Sequence, residues 1–350
     1  MKNQRAINSS QIAKLAGVSR STVSKVINNY PDIPEDTKKK VLAVIEAHDY
    51  KPNKFASVLK GIPQKVVALY IHATKNDMEA GHLDNLDSSY VMGIISHFIF
   101  AAKRHDHSLM VELIHENEDQ AEIARQIKDN FDSKAICAAV FLGLTDNCRF
   151  IDALVDAGYN IAAIDRKVST SESAFNVTTD DEESAYLSTQ HLITNGYHDI
   201  ALLGGDPAKQ SARSRENGYL RAIEESSLTA NIIDCGYSES LGAKAADTIL
   251  SQKAHIDAVL CASDIIAYGL INRLREKDES YLMSIGIVGF DNIAFNAYQR
   301  PSLTSVAVDY KAMAETTINA LLKDDQEPEY VIPTKLFTRD SSQPKSAKRS

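Results

Sequence analysis

The 350-residue chain has only four cysteines, Cys137, Cys148, Cys235 and Cys261, scattered without metal-ligand spacing and absent from its basic end. That scatter excludes a disulfide framework and a zinc finger, and it leaves no metal or cofactor to assign. No apolar run reaches 18 residues, and Met1 to Gln11 is polar apart from Ala6 and Ile7, so neither a membrane span nor a leader is expected. The chain reads as cytoplasmic. Catalytic signatures are missing too: there is no nucleophile elbow, Walker A run, paired-histidine zinc helix or dinucleotide fingerprint after the first strand. Leu203-Gly204-Gly205 is only a weak loop signal, and Asp180-Asp181 stands at a helix start where it reads as a cap or dipole partner. No residue is assigned to catalysis.

An excess of positive charge is also lacking, with a net charge of -9, but the average hides a division. Residues 1–64 hold 11 Lys/Arg against 5 Asp/Glu, whereas residues 65–350 hold 27 against 42. The amino end therefore has the local electrostatics of a nucleic-acid binder while the remainder is acidic. With 44% hydrophobic residues the chain can bury substantial cores, and its length admits two or three domains.

Within the basic end, Asn8 and Gln11 form a capping box for a short helix whose Ile12, Leu15 and Ala16 are expected on one apolar face. Gly17 ends it in a tight turn, and Val18 drops between two helices. Ser19 caps a second helix with Val23, Val26 and Ile27 inward. Its outer face is small, polar and positive. Arg20, Ser21 and Lys25 can reach base edges in a major groove, Ser19 and Thr22 can grip phosphates, and Asn28 completes the candidate DNA-contacting set. A third helix, about Glu35 to His48, offers Val41, Leu42, Ile45 and Ala47 to close the module. Beyond Tyr50-Lys51-Pro52-Asn53, the run KFASVLKG is a helix too short to persist alone. Paired with a second copy over bent DNA, it could insert Leu59 between base steps of the minor groove.

From Val66 short apolar strands alternate with helical stretches, the pattern of parallel sheets covered on both faces. The alternation occurs twice, so the expected fold class is α/β: a helical head, a short hinge helix and a bilobal core with two parallel-sheet lobes. Such clamps bind small molecules in the crevice at the carboxyl ends of strands. Polar groups gather there: Asp165-Arg166 after IAAI, Arg213 and Arg215 in SARSRENGY, Ser263-Asp264 after DAVLCA, and Asp291 after GIVGF. Arginine forks and carboxylates suit a hydroxyl-rich ligand, and Tyr237 and Tyr310 can stack on its ring.

The runs IAKLAGVSRSTVSKVIN, TKKKVLAVI with YKPN, HLITNGY, SARSRENGY, GIVGFDNI, PSLTSV and TRDS, in this order, resemble the LacI/GalR family of bacterial transcription regulators over residues about 8–341. The resemblance implies a homodimer whose two heads read the halves of a near-palindromic double-stranded operator, above a core similar to periplasmic sugar-binding proteins. By position it implies base reading by Arg20, Ser21 and Lys25, a minor-groove wedge at Leu59, and effector anchors at Arg215 and Asp291. Tyr237 and Tyr310 then lie over the ligand, with Arg166, Ser263 and Asp264 completing the effector set. The chain departs from the family pattern at Ser57, where Arg is usual, at Ser263-Asp264, where Asn-Asp is usual, and in the long segment from His72 to Asn85.

The expected domains are a head over 1–50, a hinge and linker over 51–64, a bilobal core over 65–341 and a disordered tail over 342–350. Within the core, the amino lobe is expected at about 65–165 and 295–325, and the carboxyl lobe at about 166–294 and 326–341. The expected function is an operator-binding regulator, a repressor first, controlled by a sugar or sugar phosphate. A nucleoside or purine effector, or corepressor dependence, is the alternative, with a receptor lacking operator function more distant. Nothing after Ser341 has the apolar heptads of a tetramerising coiled coil.

Overall fold

In the computed structural model the capping box forms as spaced: the Asn8 side chain accepts from the Gln11 amide, and the Gln11 side chain accepts from the Asn8 amide. This fixes the start of α1, Ser9–Ala16, and Gly17 ends it at φ 67°, a left-handed conformation that costs glycine little. Helix α2 spans Arg20–Ile27 and α3 spans Glu35–Ala47. Their shared core is Ile12, Ala13, Val23, Val26 and Val41, with Val18, Val44, Ile45 and Tyr50 packed at its edge. Three expected core positions are corrected. Leu15 and Leu42 are exposed, at 54% and 45%, and Ala47 is exposed as well. The faces that meet carry Ile12, Ala13 and Ala16 on α1 and Val41, Val44 and Ile45 on α3, so each stripe lies one residue away from the larger leucine.

The structure describes residues 7–27, 30–48, 50, 64–73, 89–168, 173–252, 255–323 and 327–344. They divide into one unit ending at Gln64 and a second beginning at Lys65. Asn28, Leu59, the run KFASVLKG and most of the segment 72–85 lie outside the described residues.

The second unit holds two six-stranded sheets. The first comprises β1 (Val66–Ala73), β2 (Ser108–His115), β3 (Ala138–Leu142), β4 (Ile161–Ile164), β5 (Ala174–Thr179) and β11 (Glu329–Ile332), in the order β2-β1-β3-β4-β5-β11. The second comprises β6 (Ile200–Gly204), β7 (Asn231–Asp234), β8 (Ala258–Cys261), β9 (Gly286–Asp291), β10 (Thr304–Val308) and β12 (Thr334–Phe337), in the equivalent order β7-β6-β8-β9-β10-β12. All pairs are parallel except β10 with β12. Central strands such as β3 and β8 are buried throughout, as a sheet covered on both faces requires.

Helices α4 (Ser89–Arg104), α5 (Gln120–Asp132), α6 (Phe150–Asp156) and α12 (Tyr310–Leu321) belong to the first lobe. Helices α7 (Asp181–Thr194), α8 (Gln210–Glu225), α9 (Glu239–Ser251), α10 (Asp264–Lys277) and α11 (Glu279–Ser284) belong to the second.

The lobe boundaries differ from expectation at all three crossings. The segment AFNVTT continues the first sheet as β5, so the chain leaves that lobe near Asp180 rather than at 165. The strand TSVAV belongs to the second sheet, which moves the return to Asp309 rather than 295. VIPTKLF, expected as one strand, is two. Pro333 has no amide hydrogen for a ladder, and on either side of it β11 pairs with β5 while β12 pairs with β10. The tail is also corrected at its start: Ser342 is buried, and its hydroxyl bonds Thr304 and His191.

Candidate functional site

The outer face of α2 remains in water. Arg20, Ser21 and Lys25 are exposed, and the burial of Val23 and Val26 on the opposite side fixes that orientation. Ser19 caps the helix by accepting the Thr22 amide at 3.0 Å, and its hydroxyl also lies 2.6 Å from the Ser21 hydroxyl. Arg20 Nε donates to Ser9 Oγ at 3.1 Å, and Lys25 Nζ pairs with Asp32 at 2.6 Å. These contacts are exposed and exchangeable for phosphate or base contacts at little cost. The proposed readers thus stand together on one helical face.

The second unit has a cleft of about 100 Å³ between its lobes, at the carboxyl ends of β1, β3, β4 and β9. Two aspartates face it from equivalent strand ends, Asp165 after β4 and Asp291 at the end of β9. Both have positive φ, 59° and 107°, conformations that non-glycine residues adopt at a cost of about 1–3 kcal/mol and that cluster at functional sites. Burial raises the Asp165 carboxyl to about 6, with nearby Asp181 adding to the shift and the Ser211 hydroxyl opposing it. Burial raises Asp291 further, against the pull of Arg215.

Arg215 is held from three sides. Its Nε donates to Asp181 Oδ1 at 2.9 Å, Nη1 donates to the Ala262 carbonyl, and the guanidinium lies 3.6 Å from the centre of the Phe290 ring. Burial opposes its charge, but Asp181 and the other anionic groups more than offset this and raise its pKa. Tyr237 forms another wall. A side chain at Gly205 would place Cβ 2.3 Å from the Tyr237 ring, so the glycine is what admits the tyrosine to this position. The lobes touch around the cleft through Ser211 Oγ to Asp165 Oδ2 at 2.6 Å and Arg213 to Asp146 at 2.8 Å.

Of the seven expected effector residues, Arg215, Asp291, Tyr237 and Ser263 line the cleft. Ser263 also caps α10, accepting the Ile266 amide. The other three do not line it. Asp264 is fully buried and spends its oxygens on Ser305, the Ile293 amide and Asn296 at 2.7–3.0 Å. Arg166 turns to the Thr145 carbonyl. Tyr310 donates to the Asp291 carbonyl at 3.0 Å and meets Tyr90 edge-on, so it supports the wall from behind. The cleft also contains Tyr90, Lys209 and Ser211, which the sequence reading did not select. Ser211 sits one helical turn before Arg215, a spacing that could have revealed it. For Asp181, no sequence signal distinguishes a buried ion-pair partner from the helix cap expected there.

Residues 10–53 match the profile of the bacterial regulatory proteins of the lacI family, and residues 189–342 match that of a periplasmic binding protein-like domain. Residues 10–53 carry a lacI-family head. It is 25% identical over 332 residues to the HTH-type transcriptional repressor PurR of Vibrio campbellii, covering 91% of this chain and 92% of that one. The fold is shared with the Lac repressor dimer bound to operator and the anti-inducer ONPF, at a TM-score of 0.81 and 20% identity over 97% of this chain and 100% of that one. It is also shared with a complex of the transcriptional regulator CelR with cellobiose, at 0.67 and 21% over 96% and 99%. The α2 face and the cleft belong to separately packed units.

Proposed function

We propose that this lacI-family protein is an operator-binding transcriptional repressor whose DNA affinity is set by a small ligand in the cleft. The observation that carries the reading is the coexistence of an exposed cationic α2 face with an interlobe cleft containing strained aspartates and a buried arginine. Ligand contacts to both lobes would bias their closure, and the segment 51–64 would transmit that bias to the heads. Arg20, Ser21 and Lys25 are assigned to bases, Ser19 and Thr22 to phosphates, and Arg215, Asp291 and Tyr237 to the effector. We read the chain as a cytoplasmic regulator and not as an enzyme; among the described residues no helix is long and apolar enough to cross a membrane.

A second copy is the partner. Met92, Ile99 and Phe100 project from one face of α4 with exposures of 53%, 47% and 68%, beside exposed Val111 and Leu113 on the edge strand β2. Two copies meeting here would bury that face and present two heads to a near-palindromic operator. A sugar or sugar phosphate is the leading effector class, because carboxylates and tyrosines suit hydroxyl donors and a ring face. The test selects operators from random duplexes with the full chain, then repeats the selection with residues 1–64 removed. Specific sequences should emerge only with the full chain, and equal enrichment without the head would overturn the reading.

A further inference from the structure

We propose that a groove apart from the cleft, where the chain crosses between the lobes, is a second ligand site and takes a ring compound carrying a phosphate monoester. The groove has a volume of about 530 Å³, and its lining includes Val308, Asp309 and Pro333 at two of the three crossings. His97 and Lys311 line it from the first lobe, and Asn292 and Lys335 from the second. It shares a wall with the cleft. Tyr310 lines the groove while its hydroxyl donates to the Asp291 carbonyl at 3.0 Å. Of the chain neighbours Asp291 and Asn292, the first lines the cleft and the second the groove.

The lysines of this groove are uncommitted, whereas its carboxylate is engaged. Lys311 and Lys335 are exposed and form no ion pair among the described residues; the Lys335 ammonium lies 5.3 Å from the centre of the Phe337 ring. Asp309 accepts the Ala312 amide at 2.9 Å and so caps α12. Glu315, one turn beyond Lys311, is paired with Arg104. Arg339 donates to Asn292 Oδ1 at 2.7 Å, leaving the Asn292 NH2 group as the donor for a ligand. His97 Nδ1 lies 2.7 Å from the Gly93 carbonyl, which can only accept, so Nδ1 carries the hydrogen and Nε2 is left over.

Two ammonium groups and an amide donor suit the oxygens of a phosphate monoester. A cation would be repelled by both lysines, and a neutral ring would gain no charge-assisted bond from them. The volume exceeds what one phosphate fills, and Ala307, Val308 and Pro333 add apolar surface for the ring of a sugar or base. Held from both lobes at their crossings, such a ligand would restrain the angle between them.

Calorimetry on the full chain tests the site with three pairs: glucose and glucose 6-phosphate, ribose and ribose 5-phosphate, adenosine and adenosine 5′-monophosphate. Inorganic phosphate is the arm without a ring. At least one monoester should bind about tenfold or more tightly than both its parent and inorganic phosphate, and its binding should weaken as salt rises. Lys311→Glu combined with Lys335→Glu should cost that binding about tenfold or more, whereas Lys209→Glu, in the cleft, should leave it within about twofold. On binding, amide hydrogen exchange should slow at residues 307–311 and 333–337, which locates the ligand without any substitution. An ester that survives the double change but is lost with Lys209→Glu, or that slows exchange only around the cleft, overturns the proposal. A parent or inorganic phosphate that binds as tightly as the ester overturns it too, as does the absence of binding by every monoester at about 1 mM. The site stands or falls without the operator reading, which the selection from random duplexes tests separately.

Discussion

The head and the core use the same side chains in opposite ways. On α2, Arg20 and Lys25 remain exposed, and each has one exchangeable partner. In the cleft, Arg215 is only 8% exposed and is fixed by an aspartate, a carbonyl and an aromatic ring. An exposed arginine contributes little to its own fold and is available to a partner, whereas a buried one is part of the structure it serves. On the proposed reading, specificity for a large polyanion lies on an exposed surface and specificity for a small ligand in a buried, preorganised space.

The sharpest way to break this contrast is to truncate the two arginines. Arg215→Ala leaves Asp181 buried without its counter-charge, a change that typically costs about 3–5 kcal/mol, and denaturant unfolding should show the core losing stability on that scale. Arg20→Ala should leave stability within about 0.5 kcal/mol while weakening the preferred operator by roughly 1–3 kcal/mol at one base position, as read by competition binding. Equal stability losses at the two sites would erase the distinction.

A smaller effect comes from protonation. The folded-state pKa of Asp165 is raised to about 6, above its unfolded value of roughly 4, so the native state holds the proton more tightly. Its contribution to stability is therefore present at low pH and is lost as the pH rises from about 4 through 6. Asp165→Asn should raise the Tm relative to the native chain more at pH 7.5 than at pH 4, and a pH-independent difference would contradict the assignment. The smallest effect is expected at the surface, where Asp32→Ala should leave thermal unfolding unchanged and slightly strengthen operator binding by freeing Lys25.

The two units also differ in how legible they were. The head depends on local chemistry, with the Asn8 box, the Gly17 turn and the spacing of Val23 and Val26 each acting within a few residues. Those features could be placed from the sequence, apart from the one-residue offsets that exposed Leu15 and Leu42. In the core, alternating strands and helices predicted two parallel-sheet lobes, and the strand-end rule located Asp165 and Asp291, whereas Arg215, inside α8, was placed chiefly by the family resemblance. Lobe membership did not follow, because β5, β10 and β11 are assigned by partners far away in the chain. The same limitation concealed Asp181, whose meaning comes from Arg215 across 34 positions, and misassigned Asp264, whose partners Ile293, Asn296 and Ser305 all come from later segments.

The central claim is that occupancy of the cleft controls the head. The most direct measurement is fluorescence titration of a selected operator with the full chain, with and without a saturating concentration of the tightest-binding compound from a calorimetric screen of sugars and sugar phosphates. The account predicts that this binder changes operator affinity by about fivefold or more and that Arg215→Ala abolishes the change. Identical operator affinity with the cleft empty and filled would contradict it.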